Sequence, residues 1–325
     1  MKTKLLYVLV SGSDDIYLEQ AYVSAYSASK RNPGAALVLL TDQVTAEGCL
    51  SRNPNAGAFK ALFSEIVVVP LDASAPGMKR SRLLKTGMRQ YVKGDFLFID
   101  ADTIVSRSLE EVDTMDILLG ACLDLHSPLP EHTHRDAIVS LCRKCGFEVS
   151  SETQYFNSGV MLVRDHPQTH EFFRRWQENY LAGYAAGVRS DQPSLARTNA
   201  ETGHPLRQMD DFWNCQAMHG VRYLKDAFIV HYLCTNAASS ENGYLFLLHD
   251  PQVLRRVRSE GLESLYAVIE DPFKGFAAQT QVFSGEDLHF FRTRRYRWLR
   301  SRYRRGGFSL LEFCLKVWDH LTGKV

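Results

Sequence analysis

The stretch Gly94–Val105, GDFLFIDADTIV, decides how the rest of the chain is read. Phe96, Leu97, Phe98 and Ile99 follow one another without a polar break, the pattern of a strand covered on both faces in a parallel sheet. Asp100 and Asp102 come next, with only Ala101 between them. Residues two apart in an extended chain project from one face, so the two carboxylates are presented together. In open α/β sheets ligands lie beyond the carboxyl ends of the strands. Like charges held together call for a cation, and a hard divalent ion carrying phosphate oxygens meets that need. The alternative for this tripeptide alone is a solvated strand end with turn-forming acids.

Working outward, the flanking segments repeat strand–helix logic. LLYVLV (5–10) reads as a first buried strand, followed by the loop SGSDD and a helix in which Leu18, Ala21, Tyr22, Ala25 and Tyr26 recur at helical spacing. ALVLLTD (36–42) and EIVVVPLD (65–72) are further strands running into acids, which gives βαβ units and a parallel sheet. The helix KRSRLLKTGMRQYV places Leu84, Met88 and Tyr91 on one face and Arg82, Lys85 and Arg89 on another. Its N-terminus is expected near the carboxyl edge of the DAD strand, so that Lys79, Arg80 and Arg82 approach Asp100 and Asp102. LLGACLDL (118–125), FNSGVMLV (156–163) and AFIVHY (227–232) read as strands, and HEFFRRWQENYLAGY (170–184) as a helix. SDQPSL (190–195) reads as an N-cap and first turn, with Pro193 just inside. Polar groups at these strand ends and in the loops beside them (Asp14, Asp42, Asp100, Asp102, Asp124, Asn157 and His231) are candidates to face one site. Two Asp and a His form an open set for Mn²⁺ or Mg²⁺ that leaves positions for phosphate oxygens or water.

Composition excludes several classes. With 325 residues and 45% hydrophobic content the chain can bury a full core in one large or two modest domains. From Phe291 onward ten Lys and Arg face only Glu312 and Asp319, so the tail carries +8 while residues 1–290 carry −7, and the body is no nucleic-acid binder. KTKLLYVLV has too short an apolar run, and no cleavage site, to be a signal peptide, and no run reaches the roughly 18 apolar residues of a membrane span. Seven cysteines without framework spacing suggest reduced thiols in a cytosol. Cys142 and Cys145, with His126, His132 and His134 upstream, offer only irregular zinc-ligand spacing, and two semi-buried helical thiols account for them as well.

DDIY (14–17), SRLLK (81–85), FIDADTIV (98–105), YFNSGVMLV (155–163) and SDQPSL (190–195), followed by WN (213–214) and HY (231–232), resemble the glycosyltransferase family 8 enzymes in order and spacing. The resemblance runs from Leu5 to about Tyr232. It implies a single GT-A type α/β domain with a mostly parallel, Rossmann-like sheet flanked by helices. It also implies retaining transfer of a hexose from a UDP-sugar with Mn²⁺. On this resemblance Asp100, Asp102 and His231 are metal ligands, Asp14 and Tyr17 contact the uracil, and Arg82 reaches donor sugar and phosphate. Asn157, Asp124, Asp191 and Gln192 surround the sugar ring and anomeric carbon. Two departures stand out. Ile16 occupies a position usually polar in bacterial members, and LCTNAASSENGY follows His231-Tyr232 where a Lys-Pro-Trp-like segment is expected.

The domain reading is a catalytic domain over 1–235, a segment 236–290 wrapping that same domain, and a basic amphipathic tail over 291–325. In the tail, eight Arg between 292 and 305 alternate with Tyr296, Trp298, Leu299 and Tyr303. Leu310, Leu311, Cys314, Leu315 and Trp318 then share a helical stripe. Such a tail reads as an anchor to an anionic membrane surface. The family resemblance then implies a protein at the cytoplasmic face of the cell membrane with a glycan or glycolipid acceptor, in cell-surface polysaccharide or lipopolysaccharide synthesis. The competing readings are a sugar-phosphate nucleotidyltransferase, whose Gly-rich basic loop contrasts with the acidic SGSDDIY, and a non-catalytic nucleotide-sugar-binding protein.

Overall fold

A computed structural model describes residues 1–217, 223–233, 239–240, 243–244, 246–276, 289–304 and 309–322. Met1–Leu129 with Asp136–Thr280 form one compact unit, and Pro130–Arg135 with Gln281–Val325 form a second.

The first unit is an α/β structure. Its strands are β1 (Lys4–Leu9), β2 (Leu37–Asp42), β3 (Glu65–Val69), β4 (Phe96–Ile99), β5 (Thr103–Val105), β6 (Leu119–Leu123), β7 (Phe156–Val163), β8 (Arg207–Gln208), β9 (Cys215–Gln216) and β10 (Ile229–His231). Its long helices are α1 (Tyr17–Arg31), α2 (Gly77–Tyr91), α3 (Arg135–Lys144, whose first residue falls in the second unit), α4 (Pro167–Ala185), α5 (Gln192–Glu201) and α6 (Pro251–Glu260). The main sheet has the order β3-β2-β1-β4-β7-β6-β8. A smaller sheet, β5-β10-β9, continues from the DAD turn, with His231 paired to Thr103.

Alternation of side chains explains why the strands carry unbroken apolar runs. On one face Leu97 and Ile99 of β4 join Leu5, Tyr7, Leu37, Leu39, Val160 and Leu162 against α1 residues such as Leu18, Ala21 and Val23. On the other face Phe96 and Phe98 join Leu6, Val38, Leu40, Met161 and Val163 against Leu84 and Met88 of α2 and Phe172, Phe173 and Trp176 of α4. Both sides of the sheet are therefore dry, as the FLFI run requires.

The sheet is mostly parallel, as expected, and it turns antiparallel at one strand that matters. β7 runs antiparallel to β4 and to β6, with Ile99 opposite Val160 and Phe96 opposite Val163. The N-terminal end of β7 therefore lies at the same edge as the C-terminal ends of β1, β4 and β6. The segment after residue 235 includes α6 among its described residues. Leu254, Val257, Leu265 and Ile269 share the core of α1 and the sheet. Residues 234–238 and 241–242 of LCTNAASSENGY, with Cys234 among them, lie outside the described residues, as does 277–288.

The second unit contains helices α7 (Arg294–Arg304) and α8 (Ser309–Thr322). On α7 the Arg297 guanidinium donates to the Pro130 carbonyl at 2.6 Å. On α8 the stripe is wider than expected, since Leu310, Phe313, Leu315, Val317, Trp318 and Leu321 are all exposed, while Leu311 lies outside the described side chains. No helix is long and apolar enough to cross a membrane, among the described residues.

Candidate active site

The carboxyl edge of the sheet gathers most of the predicted residues. Strand β4 ends at Ile99, and its ladder continues one step further, where the Asp100 N–H donates to the Gly159 carbonyl at 2.7 Å. Asp102 follows the turn, and His231 closes from the smaller sheet, its Nε2 lying 3.1 Å from Asp102 Oδ1. One ligand atom from each of Asp100, Asp102 and His231 falls within 4.8 Å of the others. Among the described residues this is the one group of three or more His, Cys, Asp or Glu with that closeness. Cys142 and Cys145 are buried free thiols instead, as are Cys49, Cys122 and Cys215.

Electrostatics at the triad favour a cation. Burial pushes the Asp100 carboxyl up, Lys85 opposes this, and the neighbouring Asp102 charge adds to it. Burial alone would lower the His231 imidazole, but the charge and hydrogen bond of Asp102 carry it upward. Two acids and a histidine whose charges are only partly balanced suit a divalent ion, and their oxygen and imidazole donors suit Mn²⁺ or Mg²⁺.

Helix α2 supplies the cations, but not all the expected ones. Lys85, only 3% exposed, donates to both oxygens of Asp100 at 3.1 and 3.0 Å and stands 3.8 Å from Asp191. The Arg82 Nε is 3.1 Å from the other oxygen of Asp191. The Ser158 hydroxyl also donates to Asp191, at 2.8 Å. Burial alone would raise the Asp191 carboxyl, yet Arg82, then Lys85 and Ser158, bring it down to about 2. Arg80 and Lys79 go elsewhere. Arg80 pairs with Asp42 and donates to the Ala75 carbonyl at 3.1 Å, while Lys79 sits 4.9 Å from the Tyr184 ring centre. Asp42 itself is fully buried and accepts from the Thr45 N–H at 2.8 Å, so this predicted strand-end acid is a helix cap and not a ligand group. In the sequence Lys85 stands out as a face-mate of Arg82 at i, i+3 spacing and as the last residue of SRLLK, but neither signal gives it a role at the site.

The sugar-side candidates cluster around the start of β7. Asn157 donates to Asp124 at 2.9 Å, Asp124 follows directly on β6, and the Gln192 amide donates to the Phe156 carbonyl at 3.1 Å. Asp124 opens a turn in which Leu125 and His126 both have positive φ, 52° and 54°. Such a pair is costly for non-glycine residues and is held from outside. Gln216 accepts from the Leu125 N–H at 2.8 Å and donates to the Leu123 carbonyl at 2.8 Å, and the Gln216 N–H donates to His126 at 2.9 Å. Gly159 is needed for close approach: a Cβ there would lie 2.3 Å from His231 Cε1 and 2.8 Å from its Nδ1.

Asp14 and Tyr17 share the edge of this network, because β1 is the parallel neighbour of β4. Asp14 is exposed, and Tyr17, the first residue of α1, is 53% exposed. The loop is organised by Asp15, which accepts from the N–H groups of Gly12 and Tyr17 at 2.6 and 3.2 Å. Arg258 of α6 pins it from outside, donating to the carbonyls of Ser13 and Asp15 at 2.6 and 2.7 Å. Ile16 is partly buried against the core. A cavity of about 360 Å³ borders this loop, lined among others by Ser11, Cys49, Arg52, Asn53 and Arg258.

The sheet is mostly parallel and gathers acids, a histidine, a lysine and an arginine at its carboxyl edge, the place where open α/β folds bind ligands. Residues 92–249, just under half of the chain, match the nucleotide-diphospho-sugar transferase family, and the chain has a GT-A type fold. Its fold is similar to that of the galactosyltransferase LgtC in complex with donor and acceptor sugar analogs, with 18% identity, 84% of this chain and 99% of that chain covered, and a TM-score of 0.50. The apo form of mouse xyloside xylosyltransferase 1 is similar at 14% identity, covering 72% of this chain and 98% of that one, with a TM-score of 0.47. No curated protein matches the chain by sequence.

Proposed function

We propose that the protein transfers a hexose from a UDP-sugar to a glycan or glycolipid acceptor with retention of configuration, and that it requires a divalent cation. The observation that carries this reading is the Asp100, Asp102 and His231 group, with Lys85 and Arg82 beside it. Asp100, Asp102 and His231 would hold Mn²⁺ or Mg²⁺, which supplies positive charge to a diphosphate leaving group. Arg82, at the open side of the Asp191 pair, adds a second positive contact where negative charge grows as the glycosidic bond breaks. On this reading Asp14 and Tyr17 meet the base, and Asn157, Asp124 and Gln192 meet the sugar.

The choice between the two retaining routes, a covalent intermediate on a protein carboxylate or front-face transfer, turns on Asp191. Its oxygens are taken by Arg82, Ser158 and Lys85, and it is 3% exposed, so it is poorly disposed to attack an anomeric carbon. This favours front-face transfer. The bond from C1 to the diphosphate oxygen breaks with its electron pair leaving on that oxygen. The acceptor hydroxyl bonds C1 on the same face, and its proton passes to the departing diphosphate. Asp191 then serves to orient Arg82.

Incubating the protein with a panel of nucleotide sugars and Mn²⁺ tests the reading. Nucleotide release from UDP-hexoses in preference to GDP- and ADP-sugars is expected; equal release from all three bases, or none, would overturn it.

The tail reading is a separate proposal, supported by the arginines at 294, 295, 297 and 300 on α7 and by the exposed apolar side chains of α8. Each cation near anionic lipid contributes about 1 kcal/mol, and salt screens it. The full chain is expected to sediment with anionic vesicles at low salt and to be released by removal of residues 291–325. Equal binding to neutral vesicles counts against it.

A further inference from the structure

Asn214 was noted in the sequence only as half of the WN pair, yet it lies at the centre of a buried hydrogen-bond chain. It is fully buried at the end of the turn Asp211–Asn214, where the preceding Trp213 stacks on Phe228 with ring centres 4.3 Å apart. The chain runs from Asp124 through Asn157 and Asn214 to His231 and Asp102.

The direction of each bond is fixed by the main chain. The Gly159 N–H can only donate, and it meets the Asn157 side chain at 2.9 Å, so the atom there is the carbonyl oxygen Oδ1. The Asn157 nitrogen is thereby left to donate to Asp124. Asn214 contacts the same Asn157 oxygen at 3.0 Å and must present its own nitrogen. Its oxygen then faces His231 Nδ1 at 2.9 Å. An amide oxygen only accepts, so Nδ1 carries a proton, and Nε2 is the nitrogen turned toward Asp102. A histidine that binds a metal through one nitrogen is held by a hydrogen bond from the other.

We propose that Asn214 is the positioning residue that presents His231 Nε2 to a divalent cation, its amide orientation set through Asn157 by the Gly159 main chain. This rests on the cation reading above. It also links the two halves of the site, because the amide that orients the ligand histidine shares Asn157 with the sugar-side acid Asp124.

The test is a double-mutant cycle read by calorimetric Mn²⁺ binding to the full chain, without donor or acceptor, using the wild type, Asn214→Leu, His231→Ala and the double variant. Asn214→Leu is expected to weaken Mn²⁺ binding about 10- to 100-fold, the usual range for loss of a group that orients a metal ligand. In the His231→Ala background the same substitution should change affinity by less than about twofold, since the residue it positions is gone. Metal-free circular dichroism and thermal melts check folding. Should the leucine variant fail to fold, Asn214→Ser, smaller and unable to reach His231, replaces it in the cycle. An equal loss in both backgrounds would assign Asn214 a purely structural role and overturn the proposal, as would unchanged affinity of the Asn214→Leu single variant, in which His231 is intact. Absence of Mn²⁺ binding by the wild type would overturn the cation reading first and this inference with it.

Discussion

Asp102→Asn is expected to lower transfer at saturating donor and Mn²⁺ by about 10²- to 10³-fold while leaving far-UV circular dichroism unchanged, the scale seen when one group that stabilises transition-state charge is removed. The variant keeps size and shape but removes the charge that faces His231. The fold should survive because Asp102 holds its turn through the main chain, its carbonyl accepting from the Tyr232 N–H at 3.2 Å. EDTA should reproduce the loss in the wild type, and added Mn²⁺ should reverse it. Wild-type turnover by the variant would reduce the DAD sequence to a turn.

Lys85→Met carries the largest expected effect on stability. The ammonium is almost fully buried between Asp100 and Asp191, and removing one partner of a buried ion pair typically costs about 3–5 kcal/mol, because the remaining charge is stranded. Two consequences separate this from simple loss of packing. Added Mn²⁺ should raise the melting temperature more in the variant than in the wild type, since a cation at Asp100 replaces part of the missing charge. The deficit should also depend on pH. In the folded wild type Asp191 is held down to about 2, below its unfolded value, so its pairing contributes stability that is complete above the unfolded value and is lost as pH falls toward about 2. The gap between variant and wild type is therefore expected to be widest near neutrality and to narrow in acid. A gap that is constant with pH and indifferent to Mn²⁺ would mean Lys85 acts by packing alone.

Which parts of this were legible in the sequence follows from the range of the forces involved. The FLFI run, the DAD pair and the helix start at SDQPSL are local patterns, and each appears where its spacing placed it. The direction of β7 is not local. A strand buried on both faces reads alike in either orientation, so FNSGVMLV announced a strand with Asn157 as a candidate near its start, but not the antiparallel direction that brings that start to the working edge. Choices among neighbouring like residues were equally hidden. Asp14 and Asp15 differ only in which one turns back onto the loop amides, and Arg80, Arg82 and Lys85 only in which acid each meets. Partners from distant sequence made those choices: Asp42 captured Arg80, and Arg258, from a segment without recognisable chemistry, fixed the loop of Asp15.

The reversed direction of β7 makes the site unequally sensitive to two kinds of genetic change. Within that strand Phe156, Asn157, Ser158 and Gly159 hold Gln192, Asp124, Asp191 and the space for His231 in turn. Side chains alternate between faces, so inserting or deleting one residue in β7 would exchange the two sets, taking the contacts to Asp124 and Asp191 together. Point substitution in the body of the strand, between Val160 and Val163, perturbs packing by degrees. A change of length there is expected to abolish the constellation in one step, whereas the loops that precede Tyr155 and follow Val163 can change length without moving it.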